Sequence, residues 1–333
     1  MRAGAIVKYF ITGATGFIGG ELTQQLVALG HQVVALVRSP AAATDLTKLG
    51  VILHQGDITD RESLRVGMVG VDGVFHVAAW YKLGRSDRRE AERINVQGTR
   101  NVLETMRDLG IPRGVYTSTL AVFSDTHGRK VDENYRYDGK HLTEYDRTKW
   151  LAHYEVALPL ARAGLPLVIV QPGVVYGPGD KSLVAETFAQ VLEERLSFVP
   201  AQTAYCWAHV TDVARGHILA MERGVSGESY ILSGEAYLLT DVLDLLAKLG
   251  GVKPPRWRVP PWMLRTSAIL LGPLSTLVPA RFHPESLRAS SGVTYLGDDA
   301  KARRDLDFTT MPLEEGLRDM LTKAKSNPDG GGA

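Results

Sequence analysis

Residues 9–22 read YFITGATGFIGGEL, and this stretch decides the fold. It begins with apolar and β-branched residues, the composition of a buried strand. Gly13, Gly16 and Gly19 follow, and the chain then resumes as a helix-length amphipathic segment over 17–29. Glycine at these points permits a tight turn, close approach of the backbone to a diphosphate, and close packing of the helix on the strand. The helix start beyond Gly16 presents unpaired N–H groups that attract phosphate. Thr15, Phe17 and Ile18 lie between the glycines and belong to the same expected cradle. The spacing is GxxGxxG, a departure from the GxGxxG dinucleotide fingerprint.

Outward from this turn, apolar runs at 7–12, 32–37, 51–55, 73–77, 114–118 and 167–170 alternate with helical segments at 17–29, 61–68, 88–109 and 143–163. That alternation predicts an α/β chain with a Rossmann-type, doubly wound parallel sheet, because right-handed crossovers place helices on both faces. After Pro172 and Gly173 the alternation stops. A Rossmann domain is therefore expected over 1–175, and a smaller, irregular C-terminal lobe for substrate over 176–325. A strand at 229–232 is positioned to return to the main sheet, and 326–333 reads as a disordered tail.

The chain has 333 residues, 44% hydrophobic and 23% charged, with 38 Lys and Arg against 37 Asp and Glu. Such a balance gives no global field toward nucleic acid or anionic lipid, so a small-molecule partner is expected. A lone cysteine, Cys206, makes no intrachain disulfide, and no export signal precedes the first strand. A cytoplasmic protein is the expectation. The segment 262–280 is apolar but interrupted by Arg265, Pro273 and Pro279, short of the roughly 20 residues of a membrane span. It reads as an amphipathic cover over a substrate pocket. No pair of histidines has metal-ligand spacing, so no metal is expected.

The second strand ends VALVRSP, with Arg38 where an acid would hold the ribose 2′-hydroxyl of NAD. A guanidinium there can pair with a 2′-phosphate, so NADP(H) is preferred and NAD(H) stays open. Asp57, beside Ile58 in GDITD, reads equally as an adenine contact or a turn cap. In TEYDRTKW, Tyr145 and Lys149 stand four apart, on one helix face. Carbonyl reduction needs a hydride and a proton, and a tyrosine of pKa about 10 needs roughly 4 kcal/mol of phenolate stabilisation to act near neutrality. One ammonium about 4 Å away supplies that much. Thr117, Ser118 and Thr119 close another strand in VYTSTLAVF, at the sheet edge where such folds bind ligands.

These segments, with VFHVAA, NVQGTRNVLE, QPGVVYGPGD and HVTDVA, follow one another as in the extended short-chain dehydrogenases/reductases, which the chain resembles over nearly its whole length. The resemblance implies that Thr119 is the catalytic hydroxyl, with Ser118 the fallback, and that Asn95 positions the active site. It also implies cofactor contacts at Val77, Ala78, Ala79, Pro172, Gly173 and Val175, besides Thr117, Ser118, Tyr145 and Lys149, and a homodimer through the helices at 88–109 and 143–163. LVRSP and the C-terminal PRWRVPPWMLR, DDAKARRDLDF and PLEEGLRDML are similar to the dihydroflavonol-reductase-like branch. Nucleotide-sugar epimerases and dehydratases are the competing reading; they commonly carry an arginine just before HVxD, where this chain has Tyr205, Cys206, Trp207 and Ala208. Trp80, Tyr81, Tyr176, Tyr205 and Trp207, with Thr119, would line a pocket for a lipophilic or aromatic carbonyl compound. A cofactor sensor without turnover is a third reading, against which Tyr145 and Lys149 both stand.

Overall fold

The computed structural model describes residues 6–81, 87–274, 278–279 and 282–326. Seven parallel strands form the central sheet: β1 (Lys8–Thr12), β2 (Gln32–Val37), β3 (Ile52–Gln55), β4 (Gly73–His76), β5 (Gly114–Thr117), β6 (Leu167–Pro172) and β7 (Ser229–Leu232). Their order is β7-β6-β5-β4-β1-β2-β3. The chain starts in the middle, winds outward to β3, then reverses across β1 to build β4 onward. The reversal opens a crevice at the carboxyl ends of β1 and β4, the point where such sheets take ligands.

Alternation along β1 divides the core. Tyr9 and Ile11 pack with Leu22 and Leu26 of helix α1 (Phe17–Ala28) on one face, and Phe10 packs with Leu64 and Met68 on the other. Both faces are therefore covered, as the apolar runs required. Two of the expected helices are not regular. Arg88–Glu92 passes through a π-turn, Arg93–Gly98, into Thr99–Asp108, and Glu144–Leu151 passes through a second, Ala152–Ala157, into Leu158–Arg162.

After β6, Val174–Tyr176 pairs with Ala204–His209, which also pairs with Ala236–Leu238 and Thr294–Tyr295 in a second, four-stranded sheet. A separate core of Tyr176, Phe188, Val191, Trp207, Val242 and Leu246 fills this lobe. Between its parts the chain returns to the main sheet: β7 lies parallel to β6, Ser229 opposite Ile169 and Leu232 opposite Pro172. Helix Val210–Arg223 packs on α1. Of the expected tail, 327–333 lie outside the described residues, as do 275–277 and 280 of the expected cover.

Candidate active site

The glycine turn is built as its spacing demands. Gly13 has φ +82°, and a Cβ there would lie 2.7 Å from the backbone nitrogen of Ala78. A Cβ on Gly19 would lie 2.1 Å from the Gly13 carbonyl oxygen. No other residue fits either position without moving backbone. Helix α1 starts at Gly16 without a side-chain cap and with no acid in its first turn, so its N–H groups face the crevice without a competing carboxylate. Thr15 and Gly16 are exposed there, and Phe17 and Ile18 half-buried. This cradle fits a diphosphate.

Behind it, the Thr12 hydroxyl lies 2.8 Å from Nδ1 of His76 and accepts from the Ala78 amide at 3.3 Å, and the His76 Nε2 is 3.0 Å from the Thr99 hydroxyl. Burial pulls His76 down to about 3, so it is a neutral strut that fixes the β4 turn carrying Val77, Ala78 and Ala79. Arg38, at the end of β2, is exposed and makes no side-chain ion pair among the described residues. The Asp57 carboxylate accepts from the Thr59 amide and hydroxyl, both at 2.8 Å. Of its two readings, the turn cap is what this geometry contains. Ile58 is buried against Gly98, where a Cβ would be 2.7 Å from its methyl.

Helix Glu144–Leu151 brings the tyrosine and lysine to the end of β5. The Tyr145 phenol stands beside the Thr119 hydroxyl, which accepts from the Ala121 amide at 3.2 Å, and the Tyr81 ring meets Tyr145 edge-on, centroids 4.8 Å apart. Ser118 is turned away, its hydroxyl 2.8 Å from Nδ1 of buried His153. Lys149 donates to the Thr117 carbonyl at 2.7 Å and to the Tyr116 hydroxyl at 3.2 Å. The Thr117 hydroxyl is held 2.8 Å from His217.

On one point the electrostatics run against expectation. Burial and the neighbouring Tyr81 push the Tyr145 phenol above its ordinary value, opposite to the lowering expected from Lys149, and the Thr119 hydroxyl only partly opposes them. The lysine spends its hydrogen bonds on Tyr116 and Thr117, and its own burial pulls it down to about 7.

Asn95 sits in the first π-turn. Its Oδ1 accepts from the Trp80 amide at 2.7 Å, and its Nδ2 donates to the Trp80 carbonyl at 3.0 Å and the Thr148 hydroxyl at 2.9 Å. One buried amide thus ties the β4 turn to the helix of Tyr145 and Lys149. His153 lies in the second π-turn, so each irregularity delivers one polar side chain to the site.

The profile of the NAD dependent epimerase/dehydratase family matches residues 9–233, the span from β1 through β7. The chain belongs to that family. Within it, the chain is an extended short-chain dehydrogenase/reductase of the dihydroflavonol-reductase-like branch and an NAD(P)-dependent oxidoreductase. A Stigmatella aurantiaca protein named 4-hydroxy-2-methyl-3-oxo-4-farnesyl-3,4-dihydroquinoline-1-oxide ketoreductase is 35% identical over 340 residues, covering 98% of each chain. A Synechocystis protein provisionally named a dihydroflavonol 4-reductase is 35% identical over 329 residues, 94% of this chain and 93% of its own. The crystal structure of gox2253 superposes with a TM-score of 0.85 at 30% identity, covering 96% of this chain and 98% of that one.

On the substrate side, this family member departs from part of the sequence reading. Tyr176 and Trp207 are not pocket residues: both are buried in the lobe core, Trp207 stacked on Phe188 at 6.0 Å and edge-on to Tyr176 at 6.2 Å. Alternation along their strands turns these rings inward. Trp80 is buried with its backbone held by Asn95, whereas Tyr81 is half-exposed over Tyr145. Tyr205 stacks on Tyr295 at 5.9 Å, near Asp146. Beyond β6, a Cβ on Gly173 would lie 2.4 Å from the Cys206 carbonyl, which locks the chain from Pro172 to Val175 beside the second sheet.

Sequence reasoning passed over Asp146, Tyr295 and Glu285. Asp146, next to Tyr145, is buried, accepts from the Tyr295 hydroxyl at 3.1 Å, and is pushed by burial up to about 7. Glu285 accepts from the Glu144 amide at 2.5 Å, capping the helix that carries the tyrosine and lysine. Among the described residues, no cluster of three or more His, Cys, Asp or Glu is placed to hold a metal, and no helix is long and apolar enough to cross a membrane.

Proposed function

We propose that this oxidoreductase reduces a lipophilic or aromatic ketone or aldehyde with NADP(H), Tyr145 giving the proton. The observation that carries the reading is the pairing of the Tyr145 phenol with the Thr119 hydroxyl beside it at the carboxyl edge of β5, with Lys149 held one helical turn away. The substrate oxygen is received between the two hydroxyls: Thr119 holds it, and Tyr145 protonates it as charge develops. When bound, the nicotinamide supplies the hydride. Gly13, Gly16 and Gly19 would seat its diphosphate, and Pro172 to Val175 would flank the ring. Lys149, poised near neutral pH and held by the Tyr116 hydroxyl and the Thr117 carbonyl, stands one helical turn from Tyr145, and Asn95 keeps its helix in register with the β4 turn.

Support for a lipophilic substrate comes from the tyrosine rings over the site and from the farnesylated substrate in the name of the Stigmatella relative. Support for NADP is Arg38, exposed at the end of β2 and in no ion pair among the described residues.

The test is NADPH consumption against a panel of aromatic and long-chain ketones, then against UDP- and dTDP-sugars. Turnover of the first set, lost by on the order of 100-fold or more in Tyr145→Phe with NADPH binding kept, is expected. A sugar isomerised without net NADPH consumption, or full activity in Tyr145→Phe, overturns the reading.

A further inference from the structure

The helix Pro261–Leu270 has two apolar faces and uses only one. Leu264 and Ala268 are buried against Leu287, with Val259 and Leu271 packed beside them. On the opposite side Trp262 is 67% exposed, Ile269 76% and Leu270 71%, with Met263 also exposed. At 3.6 residues per turn these four fall within an arc of about 120°. Single exposed apolar residues are ordinary on any protein surface, but four sharing one face of a ten-residue helix make a continuous patch, which marks an interaction site. Trp257, on the strand that leads into the helix, is exposed as well.

The formal charge of the segment that carries this patch has one sign. Residues 253–284 contain Lys253, Arg256, Arg258, Arg265 and Arg281, and no Asp or Glu. Arg256 lies over the Trp257 ring, 5.5 Å from its centroid, and Arg265 flanks the apolar arc while donating to the Ser291 carbonyl at 3.2 Å. Among the described residues, Arg258 pairs with Asp244 of the neighbouring helix at 2.5 Å, and the Lys253 amide donates to Glu194 at 3.4 Å. The chain as a whole is balanced at +1, so this excess is local.

We propose that the helix Pro261–Leu270 and the strand before it dock the protein on an anionic lipid surface, with Trp262, Met263, Ile269 and Leu270 entering the interface and Lys253, Arg256 and Arg265 facing the headgroups. An apolar face with tryptophan, edged by Lys and Arg, on a helix too short to span is the pattern of a segment that lies in the interfacial plane. A second copy of the chain fits less well. In a two-fold contact the patch meets itself, and the same cations would then face their own copies. Docking here would also reach the candidate site: the buried face packs on Leu287, and two residues earlier Glu285 caps the helix of Tyr145 and Lys149. A lipophilic substrate could then enter from the bilayer. That use rests on the proposed function, but docking itself does not, because vesicle binding requires no turnover.

The test is cosedimentation of the full chain with vesicles of phosphatidylcholine alone and of phosphatidylcholine mixed with phosphatidylglycerol. Binding to the mixed vesicles is expected, weak or absent on phosphatidylcholine alone, and falling as salt shortens the Debye length below about 10 Å. Lys253→Ser and Arg256→Ser should each weaken it roughly 5-fold, the equivalent of about 1 kcal/mol per cation. The pair Trp262→Ser and Ile269→Ser should abolish it while leaving the melting temperature and NADPH binding unchanged. No binding to the mixed vesicles overturns the proposal. So does equal binding by the Trp262/Ile269 pair, or a dimer in sedimentation velocity that this pair dissolves.

Discussion

Replacing Asp146 by Asn should make the protein more stable, and more so at high pH than at low. Asp146 is buried, with the Tyr295 hydroxyl and the Thr143 cap bonded to it and Glu285 adding a like charge, and it rises from an ordinary carboxylate to about 7. A carboxyl raised in the folded state keeps its proton there between about pH 4 and 7, while the unfolded chain has lost it. Its contribution to stability is thus fully present below pH 4 and is lost as pH rises through 7. Roughly 3 pH units at 1.36 kcal/mol each put the whole loss at up to about 4 kcal/mol, of which about 2–3 kcal/mol falls between pH 5 and pH 8.5. Asn keeps the shape and offers Oδ1 to Tyr295 but cannot ionise. Urea unfolding of both proteins at the two pH values gives the measurement. Lys149 titrates in the same region but is common to both, so the difference between variant and parent isolates Asp146. The advantage of Asn should grow by about 2–3 kcal/mol from pH 5 to pH 8.5. A difference that stays constant with pH, or shrinks toward high pH, refutes the assignment of a buried, late-ionising Asp146.

Three further outcomes follow from single contacts. Asn95→Ala leaves the buried amide and carbonyl of Trp80 without partners and should cost about 3 kcal/mol in urea unfolding. Ser118→Ala strands the ring of His153 and should cost about 1–2 kcal/mol while sparing kcat, whereas Thr119→Val removes the cap on the Ala121 amide, about 1 kcal/mol, and should lower kcat on the order of 100-fold; a loss of kcat in the first variant and not the second would exchange the two hydroxyls. Arg38→Asp should raise the Michaelis constant for NADPH and lower that for NADH, measured with one carbonyl substrate, by about 10-fold or more between them.

Much of the central sheet was legible because each strand repeats one signal, a short apolar run ended by turn residues, and because Gly13 and Gly19 occupy positions where only glycine fits. The edges drifted by a residue or two: β6 runs on to Pro172 and β5 stops at Thr117. Neither π-turn was legible. One extra residue in a helical turn barely disturbs a 3.6-residue pattern, and what holds it, such as the bond from Asn95 to Thr148, spans 53 residues. Tyr176 and Trp207 show the same limit from the other side, since proximity to motif residues does not say which face of a strand a ring occupies. Asp146 stood in full view beside Tyr145, but its partner Tyr295 is 149 residues away, and only the fold brings the second lobe's strand under the helix.

The return of the chain to form β7 also has a consequence during synthesis. All six residues of β6 are buried in the finished protein, yet the strand that covers its outer edge emerges from the ribosome roughly 60 residues later. At about 5–20 residues per second that edge stays unpaired for about 3–12 s in each nascent chain. During this interval an apolar strand with free backbone donors and acceptors is open to pairing with another chain. A fragment ended near residue 175 would keep the edge open permanently, so the first half of this protein is expected to aggregate when made alone, although it contains the whole glycine cradle.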